Sequence, residues 1–255
     1  MKYFVLGGNG LIGSSIIKEL LKKKQRVFNI NRTNYKKFIN KRCDIFIYAN
    51  GNSNKYFAKQ YPFLDFELSV STVIKSIKDF RFQKFIFLSS CDVYDKISKT
   101  NTSENTLITK SNNSYGKNKY IAESIVKSYC NKWLIIRMGP LIGSNLKKNA
   151  IFNLINNKKV YANISSKSSF ILTETVSKIL LKLIDINKNE IFNISARDSI
   201  SFKIIKKKMK SKSVFAGNKK RDNYIVNIRK IEKYLNIRMP NSIEEINIFQ
   251  KRFNN

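Results

Sequence analysis

The stretch YFVLGGNGLIGSSIIKELL, residues 3–21, decides the fold of this chain of 255 residues. The apolar run before the glycines predicts a buried strand, and the apolar residues after them recur at the spacing of an amphipathic helix. Glycines stand between the two elements at positions 7, 10 and 13. This spacing allows a tight turn, a close approach of the backbone to a pyrophosphate, and close packing of the helix on the strand.

The end of the second predicted strand bears on the choice of dinucleotide. An acidic residue at that point binds the adenosine ribose of NAD in this kind of fold, and the sequence NINR at residues 29–32 contains none. Arg32 is able to pair with a 2′-phosphate, so NADP(H) is favoured over NAD(H). The cofactor-binding residues predicted in these two segments are Gly7, Asn9, Gly10, Leu11, Ile12, Gly13, Asn31 and Arg32.

Apolar runs alternate with amphipathic segments through the first two thirds of the chain. Continuous apolar strands separated by helices predict an α/β fold, a doubly wound parallel sheet of the Rossmann type that is covered on both faces. The predicted strands lie at residues 3–6, 26–30, 44–49, 84–89 and 133–137, and the predicted helices at 11–21, 66–80 and 114–129.

The pattern loosens after Gly143, which predicts a small C-terminal α/β lobe that is not an independent domain. We place the boundary between a dinucleotide-binding domain at residues 1–145 and a substrate-binding lobe at residues 146–255. The further predicted elements are helices at 150–155 and 173–184, a strand at 190–194, and polar loops at 96–113 and 165–169.

Tyr115 and Lys119 lie four residues apart in a predicted helix, and residues at this spacing share one helix face. A free tyrosine has a pKa of about 10 and is a poor base at neutral pH. A neighbouring ammonium favours the phenolate, so we expect Lys119 to lower the pKa of Tyr115. The pair is therefore a candidate acid/base unit.

A polar segment, SSCDVY at residues 89–94, follows the fourth predicted strand. Ligand sites of parallel α/β sheets lie at the carboxyl ends of the strands. Ser90 is therefore a candidate to hydrogen-bond a hydroxyl or carbonyl oxygen of a substrate, whereas Cys91 is expected to be a small buried residue. A polar cap on the end of the strand is the alternative interpretation of this segment.

The composition excludes several classes of chemistry. The chain contains no histidine and only three cysteines, at positions 43, 91 and 130. His-ligated zinc, a Ser-His-Asp triad and a CxxC motif are therefore excluded, and no metal site is predicted. No apolar run approaches the ~18 residues of a membrane span, and the N-terminus lacks the features of a signal peptide. We expect a soluble cytoplasmic protein that has no membrane partner.

The chain is strongly basic, with 49 Lys and Arg against 17 Asp and Glu and a formal net charge of +32. Such a charge favours binding to polyanions. The basic residues are spread along the whole chain, however, and are not interleaved with aromatic residues in an RNA-binding pattern. We interpret the charge as a solvated basic surface and keep nucleic-acid binding as the alternative.

Together these motifs make the chain similar to the extended short-chain dehydrogenase/reductase family, the NAD(P)-dependent epimerases and dehydratases that modify nucleotide sugars. The resemblance covers most of residues 1–185, in the same order. It rests on the glycine turn at 7–13, DIFIYANG at 44–51, FLSSCDVY at 87–94, YGKNKYIAE at 115–123, IIRMGPLIG at 135–143 and SFILTETV at 169–176.

The resemblance implies a role for each matching position. Ser90, Tyr115 and Lys119 would be catalytic residues. Tyr115 and Lys119 would also bind the cofactor, and Lys119 would hold the nicotinamide ribose. Asp92 stands where dehydratases of the family carry an acidic residue, so it would be a second acid/base; a solvent-facing loop carboxylate is the alternative interpretation. The family also implies a homodimer through the Tyr115 helix and a setting in surface-polysaccharide synthesis. Further cofactor-lining positions implied by the resemblance are Ala49, Asn50 and Gly51.

The expected activity is therefore hydride transfer on a nucleotide sugar by an oxidoreductase or epimerase that uses Tyr, Lys and Ser for acid/base catalysis. One alternative is a nucleotide-sugar 4,6-dehydratase, which Asp92 prompts. Another is a non-catalytic cofactor-binding or RNA-associated Rossmann protein, which the net charge prompts. Basic residues that are candidates to bind a substrate pyrophosphate are Lys147, Lys148, Lys167 and Arg197.

Overall fold

A computed structural model describes residues 1–95, 97, 102–108, 113–217 and 221–253. The strands are β1 (Lys2–Leu6), β2 (Arg26–Ile30), β3 (Arg42–Tyr48), β4 (Arg81–Ser90), β5 (Trp133–Met138), β6 (Leu141–Ile142), β7 (Lys167–Ser168), β8 (Ile171–Leu172), β9 (Glu190–Ile194), β10 (Ile200–Ser201) and β11 (Asn223–Tyr224). The helices are α1 (Leu11–Lys22), α2 (Tyr35–Phe38), α3 (Lys55–Gln60), α4 (Pro62–Phe66), α5 (Thr72–Asp79), α6 (Ser114–Tyr129), α7 (Ala150–Ile155), α8 (Thr173–Leu183), α9 (Phe202–Lys208), α10 (Arg229–Leu235) and α11 (Ser242–Phe253).

Six strands form the central sheet in the order β2-β1-β3-β4-β5-β9. Each of its pairings is parallel, which confirms the predicted Rossmann-type fold. The chain builds the sheet in one direction from β1 to β2 and in the other from β3 onward. The point where the strand order reverses is where open α/β sheets bind ligands, so the carboxyl ends of β1 and β3 mark the site.

Alternate side chains of β4 enter two different cores, because successive residues of a strand point to opposite faces. Phe85 and Phe87 pack in a largely aromatic core with residues of α5 and α6. Ile86 and Leu88 pack in a largely aliphatic core with residues of α1 and α8. Burial on both faces explains why the strand has a continuous apolar sequence.

Two predicted elements differ from the structure. Residues 66–80 do not form one helix, because α4 ends at Phe66 and a π-helical turn, Glu67–Ser71, precedes α5. This region packs around buried Asp65, which accepts a hydrogen bond from the Ser69 hydroxyl at 3.3 Å. Residues 165–169, predicted as a loop, contain β7, which is too short to show a strand periodicity. Half of the loop predicted at 96–113 lies outside the described residues.

Residues in the later part of the chain pack in two separate hydrophobic cores. This part has a third apolar core of its own, built around Ile151, Phe170 and Phe202. It also returns to the central sheet, because β9 pairs with β5 and α8 packs in the core that contains α1. The boundary near residue 145 stays a proposal. If it is kept, β9 and α8 belong to the dinucleotide-binding domain, although they follow residue 145 in the sequence.

A buried ion pair fixes α6 to the sheet. Arg137 of β5 donates from Nη2 to Glu123 Oε2 of α6 at 2.7 Å, and both side chains are almost fully buried. Ser89 donates to Glu123 Oε1 at 2.6 Å, and Arg137 Nη1 donates to the Tyr94 hydroxyl at 3.0 Å. Tyr94 in turn donates to Asn193 of β9 at 2.7 Å. One polar network therefore links the helix to three neighbouring strands.

Replacing Arg137 with Met should lower the free energy of unfolding by about 3–5 kcal/mol, because the Glu123 carboxylate stays buried without its counter-charge. Urea denaturation followed by circular dichroism measures the change. Arg42→Met, at an exposed position of β3, is the matched control and should alter stability by less than about 0.5 kcal/mol. Equal stability of the Arg137 variant and the wild type would show that the ion pair is not required.

Candidate active site

The glycine turn after β1 is closed by contacts that leave no room for side chains. Gly7 has a φ of +88°, and its N–H donates to the Ile30 carbonyl at the end of β2. A Cβ on Gly7 would lie 2.7 Å from the Ala49 carbonyl oxygen, and a Cβ on Gly13 would lie 2.3 Å from the Gly7 carbonyl oxygen. Both contacts are far inside van der Waals distance, so the positions require glycine.

Helix α1 begins at Leu11 directly after this turn. Gly10 is its N-cap, and no side chain caps the helix end or places an acidic group in its first turn. The N–H groups of a helix N-terminus carry a partial positive charge and bind phosphate well. The turn and the helix end together form a cradle of close-lying backbone with the partial positive charge that favours a pyrophosphate.

The residues after β2 take different roles in the structure. Asn31 Oδ1 accepts hydrogen bonds from the Thr33 N–H and hydroxyl and from the Asn34 N–H, so this side chain shapes the turn. Arg32 is exposed, and none of the described residues forms an ion pair or hydrogen bond with its side chain. Asn9 accepts a hydrogen bond from Asn29 at 2.7 Å. A free guanidinium therefore lies beside the cradle.

The segment after β3 brings the cradle next to α6. Ala49 donates its N–H to the Leu6 carbonyl, which holds the ends of β1 and β3 together. Asn50 is exposed. Gly51 has a φ of +108°, and a Cβ at this position would lie 3.7 Å from Lys119 Nζ. The predicted cofactor-lining residues and Lys119 thus face the same space.

Ser90, Tyr115 and Lys119 converge at the carboxyl end of β4. The side chains of Tyr115 and Ser90 lie beside each other, close enough for Ser90 to act on the pKa of Tyr115. Lys119 lies one helical turn after Tyr115, and its Nζ donates to the Leu88 carbonyl at 3.3 Å. Asn113 caps α6 by accepting the Gly116 N–H, which fixes the start of the helix just ahead of Tyr115. The three residues that the sequence singled out are therefore neighbours.

The expected effect of Lys119 on Tyr115 is wrong for this structure. Burial raises the pKa of Tyr115, and the negative charge of Asp92 adds to the increase. Burial also lowers the pKa of Lys119 to about 8, against the opposing pull of Asp65 and Glu123. Both groups are desolvated, and the Lys119 ammonium is directed at a main-chain carbonyl. Burial therefore affects the pKa of Tyr115 more than the neighbouring positive charge does.

Three residues of the site had no sequence signal. Lys55 of α3 forms an ion pair with Asp92 at 2.6 Å, and Tyr224 of β11 lies beside Ser90. Fully buried Asp65 accepts from Asn118 of α6 at 2.7 Å. A single lysine cannot be singled out among so many, and a two-residue strand gives no pattern.

Other described parts of the chain offer no comparable cluster. A cavity of about 300 Å³ contains Arg197, one of the predicted pyrophosphate ligands, but none of the residues above; it is lined by Arg197, Arg238, Met239, Pro240 and Glu244. No group of three or more His, Cys, Asp or Glu among the described residues could hold a metal ion. None of the described helices is long and apolar enough to cross a membrane.

Fold and glycine cradle define a Rossmann-type protein of the dinucleotide-binding class. The chain belongs to the NAD dependent epimerase/dehydratase family, whose sequence profile matches residues 3–195. No curated protein sequence matches the chain.

Solved structures of similar fold cover nearly the whole chain. A dTDP-4-dehydrorhamnose reductase from Bacillus anthracis in complex with NADP is 17% identical, with a TM-score of 0.81 over 99% of this chain and 100% of that chain. A UDP-glucose 4-epimerase from Thermotoga maritima with UDP-glucose is 17% identical, with a TM-score of 0.78 over 99% and 100%. MoeE5 in complex with UDP-glucose and NAD is 13% identical, with a TM-score of 0.84 over 100% of both chains. At these identities the likeness establishes the fold.

Lys119 should make stability depend on pH in a defined direction. Its pKa of about 8 in the folded state lies below the ordinary lysine value of 10.5, so the unfolded chain binds more protons between these pH values. The free energy of unfolding should therefore gain up to about 3 kcal/mol from this group as the pH rises from 7 to 10.5. Lys119→Met should lack this gain.

Urea denaturation at a series of pH values measures the difference between the wild type and Lys119→Met, so that other titrating groups cancel. Lys117→Met, at an exposed position on the same helix, is the control and should follow the wild type. A Lys119 variant with the same pH dependence as the wild type would contradict the lowered pKa.

Proposed function

We propose that the protein is an NAD(P)-dependent oxidoreductase or epimerase that acts on a nucleotide sugar by hydride transfer. The observation that carries the proposal is the proximity of the Tyr115 and Ser90 side chains, with Lys119 one turn away and facing Gly51. These side chains lie near a glycine turn in which a Cβ at Gly7 or Gly13 would collide with the backbone. Similar folds solved with UDP-glucose, NAD and NADP support the choice of substrate and cofactor.

When bound, the nicotinamide cofactor would supply the hydride chemistry between itself and a carbon of the sugar. Tyr115 stays protonated at neutral pH because burial raises its pKa, so its hydroxyl donates a proton to the carbonyl oxygen. The Ser90 hydroxyl hydrogen-bonds the same oxygen and orients it. Lys119 would hold the ribose hydroxyls of the cofactor beside Gly51.

Asp92 is the observation that keeps a 4,6-dehydratase as the second candidate. Its Oδ2 accepts from the Ser90 hydroxyl at 3.0 Å, so a carboxylate lies next to the proposed reacting oxygen. A dehydratase needs an acid/base at this point to remove a proton from the sugar. Loss of turnover in Asp92→Asn with unchanged binding of both cofactor and nucleotide sugar would favour the dehydratase, and retained turnover would exclude it.

A homodimer through α6 and its neighbours belongs to the same proposal. Large apolar side chains are exposed on α4 and α5, which pack beside α6: Phe63 is 88% exposed, Leu64 50% and Ile74 50%. Burial of such side chains against a second copy would remove apolar surface from water.

Tyr115→Phe should reduce turnover by about 10²–10⁴-fold, since it removes the proton donor but keeps the ring. The assay follows NAD(P)H absorbance with a panel of UDP- and dTDP-hexoses and their 4-keto derivatives. Thermal stabilisation by NADPH should persist, because the glycine turn and Lys119 still hold the cofactor. Tyr129→Phe, 73% exposed at the end of the same helix, is the control. Turnover by the Tyr115 variant at the wild-type rate would exclude the proposed mechanism.

Arg32 should give a preference for NADPH over NADH, since its side chain is free to pair with the 2′-phosphate. We expect NADPH to raise the melting temperature more than NADH at equal concentration. Arg32→Ala should weaken NADPH binding about tenfold and leave NADH binding unchanged. Lys36→Ala, at a nearby exposed position, is the control. Stronger stabilisation by NADH would overturn the preference, and stabilisation by neither would favour the polyanion-binding alternative.

A further inference from the structure

Three segments that are distant in sequence meet beside Ser90. Lys55 of α3 places its Nζ 2.6 Å from Asp92 Oδ1 and 5.3 Å from the ring centroid of Tyr224. Asp92 lies in the 3₁₀ turn Cys91–Val93 that follows β4. The group thus joins the dinucleotide-binding part of the chain to the C-terminal lobe.

The pair lies directly next to the proposed reacting centre. Asp92 Oδ2 accepts from the Ser90 hydroxyl at 3.0 Å, and the Asp92 N–H donates back to the Ser90 oxygen at 3.1 Å. A substrate oxygen bound to Ser90 therefore has Asp92 and Lys55 as its neighbours. Adjacent oxygens of a sugar ring are about one hydrogen-bond length apart, so the next hydroxyl falls within reach of the pair.

Of the two side chains, Asp92 lies nearer the interior and Lys55 nearer the solvent. The Asp92 side chain is 10% exposed and the Lys55 side chain 54%. An ammonium has three donors and a carboxylate about four acceptor sites, so both groups keep capacity after pairing with each other. A ligand that enters from solvent meets a donor first and an acceptor beneath it.

The backbone around the pair is held rigidly. Asn54 caps α3 by accepting the N–H groups of Tyr56 and Phe57, which fixes the first turn that carries Lys55. The Tyr224 carbonyl accepts from both the N–H and the hydroxyl of Ser169. Because these atoms are fixed before a ligand arrives, binding orders little of the protein.

We propose that Lys55 and Asp92 form a sugar-binding subsite in which Lys55 donates to one ring hydroxyl and Asp92 accepts from the adjacent one. The inference rests on the proposed function and deepens it, because it assigns the groups that hold the sugar next to Ser90. Tyr224 holds the Lys55 ammonium over its ring. A vicinal diol is the feature of the substrate that this arrangement recognises.

The test compares each nucleotide sugar with its nucleotide, so that only the contribution of the sugar is measured. Calorimetry gives the affinities of UDP-glucose against UDP, dTDP-glucose against dTDP, and GDP-mannose against GDP, in the presence of NADPH. Lys55→Met should reduce the affinity advantage of the preferred sugar at least tenfold, and Lys55→Arg should restore part of it. Lys59→Met, exposed one turn further along α3, is the matched control and should match the wild type.

The remaining outcomes separate the subsite from the proposed function. A Lys55→Met protein that melts at a lower temperature but keeps the full sugar advantage would make the ion pair purely structural and overturn the subsite. A wild type that binds NADPH but none of the sugars more tightly than its nucleotide would overturn the subsite and the substrate class together. A wild type that does not bind NAD(P)H at all would overturn the proposed function itself.

Discussion

A single carboxylate under helix α6 holds the candidate active site in place. Glu123 lies one helical turn beyond Lys119 and is bound by Arg137 and Ser89 from two neighbouring strands. Because a buried charge without its partner is costly, the helix has one position on the sheet. Tyr115 and Lys119 lie on the same helix, so their positions relative to Ser90 at the end of β4 are fixed as well. The precision that acid/base chemistry requires thus originates outside the reacting groups.

The sequence was sufficient to predict the central sheet with its glycine turn and about half of the residues of the candidate site. Glycine spacing and apolar alternation have steric and solvation causes that act locally, so they predicted the turn at Gly7, the six strands of the central sheet and the bounds of α6. The order of the motifs also brought Ser90, Tyr115 and Lys119 together. The roles of these residues remain proposals.

Properties that depend on tertiary burial could not be predicted in the same way. Lys55 and Tyr224 reach Ser90 only because the chain folds back, and neither stands in a pattern that differs from the many other lysines and tyrosines. The direction of the Tyr115 pKa was missed because spacing reveals a neighbouring charge but does not reveal desolvation. The π-helical turn Glu67–Ser71 was missed for a related reason, since its residues pack around Asp65, whose burial the sequence does not display.

Because β9 returns to the central sheet from late in the sequence, the sheet is completed late during synthesis of the chain. During synthesis, the first five strands of the sheet emerge before the segment that supplies β9, and until then β5 presents an unpaired edge. Unpaired edges of this kind are where nascent chains aggregate or capture one another. Asn193, which completes the polar network from Arg137 through Tyr94, arrives on the same strand. The addition of β9 therefore completes both the six-stranded sheet and the polar network of Arg137, Tyr94 and Asn193, late in the synthesis of the chain.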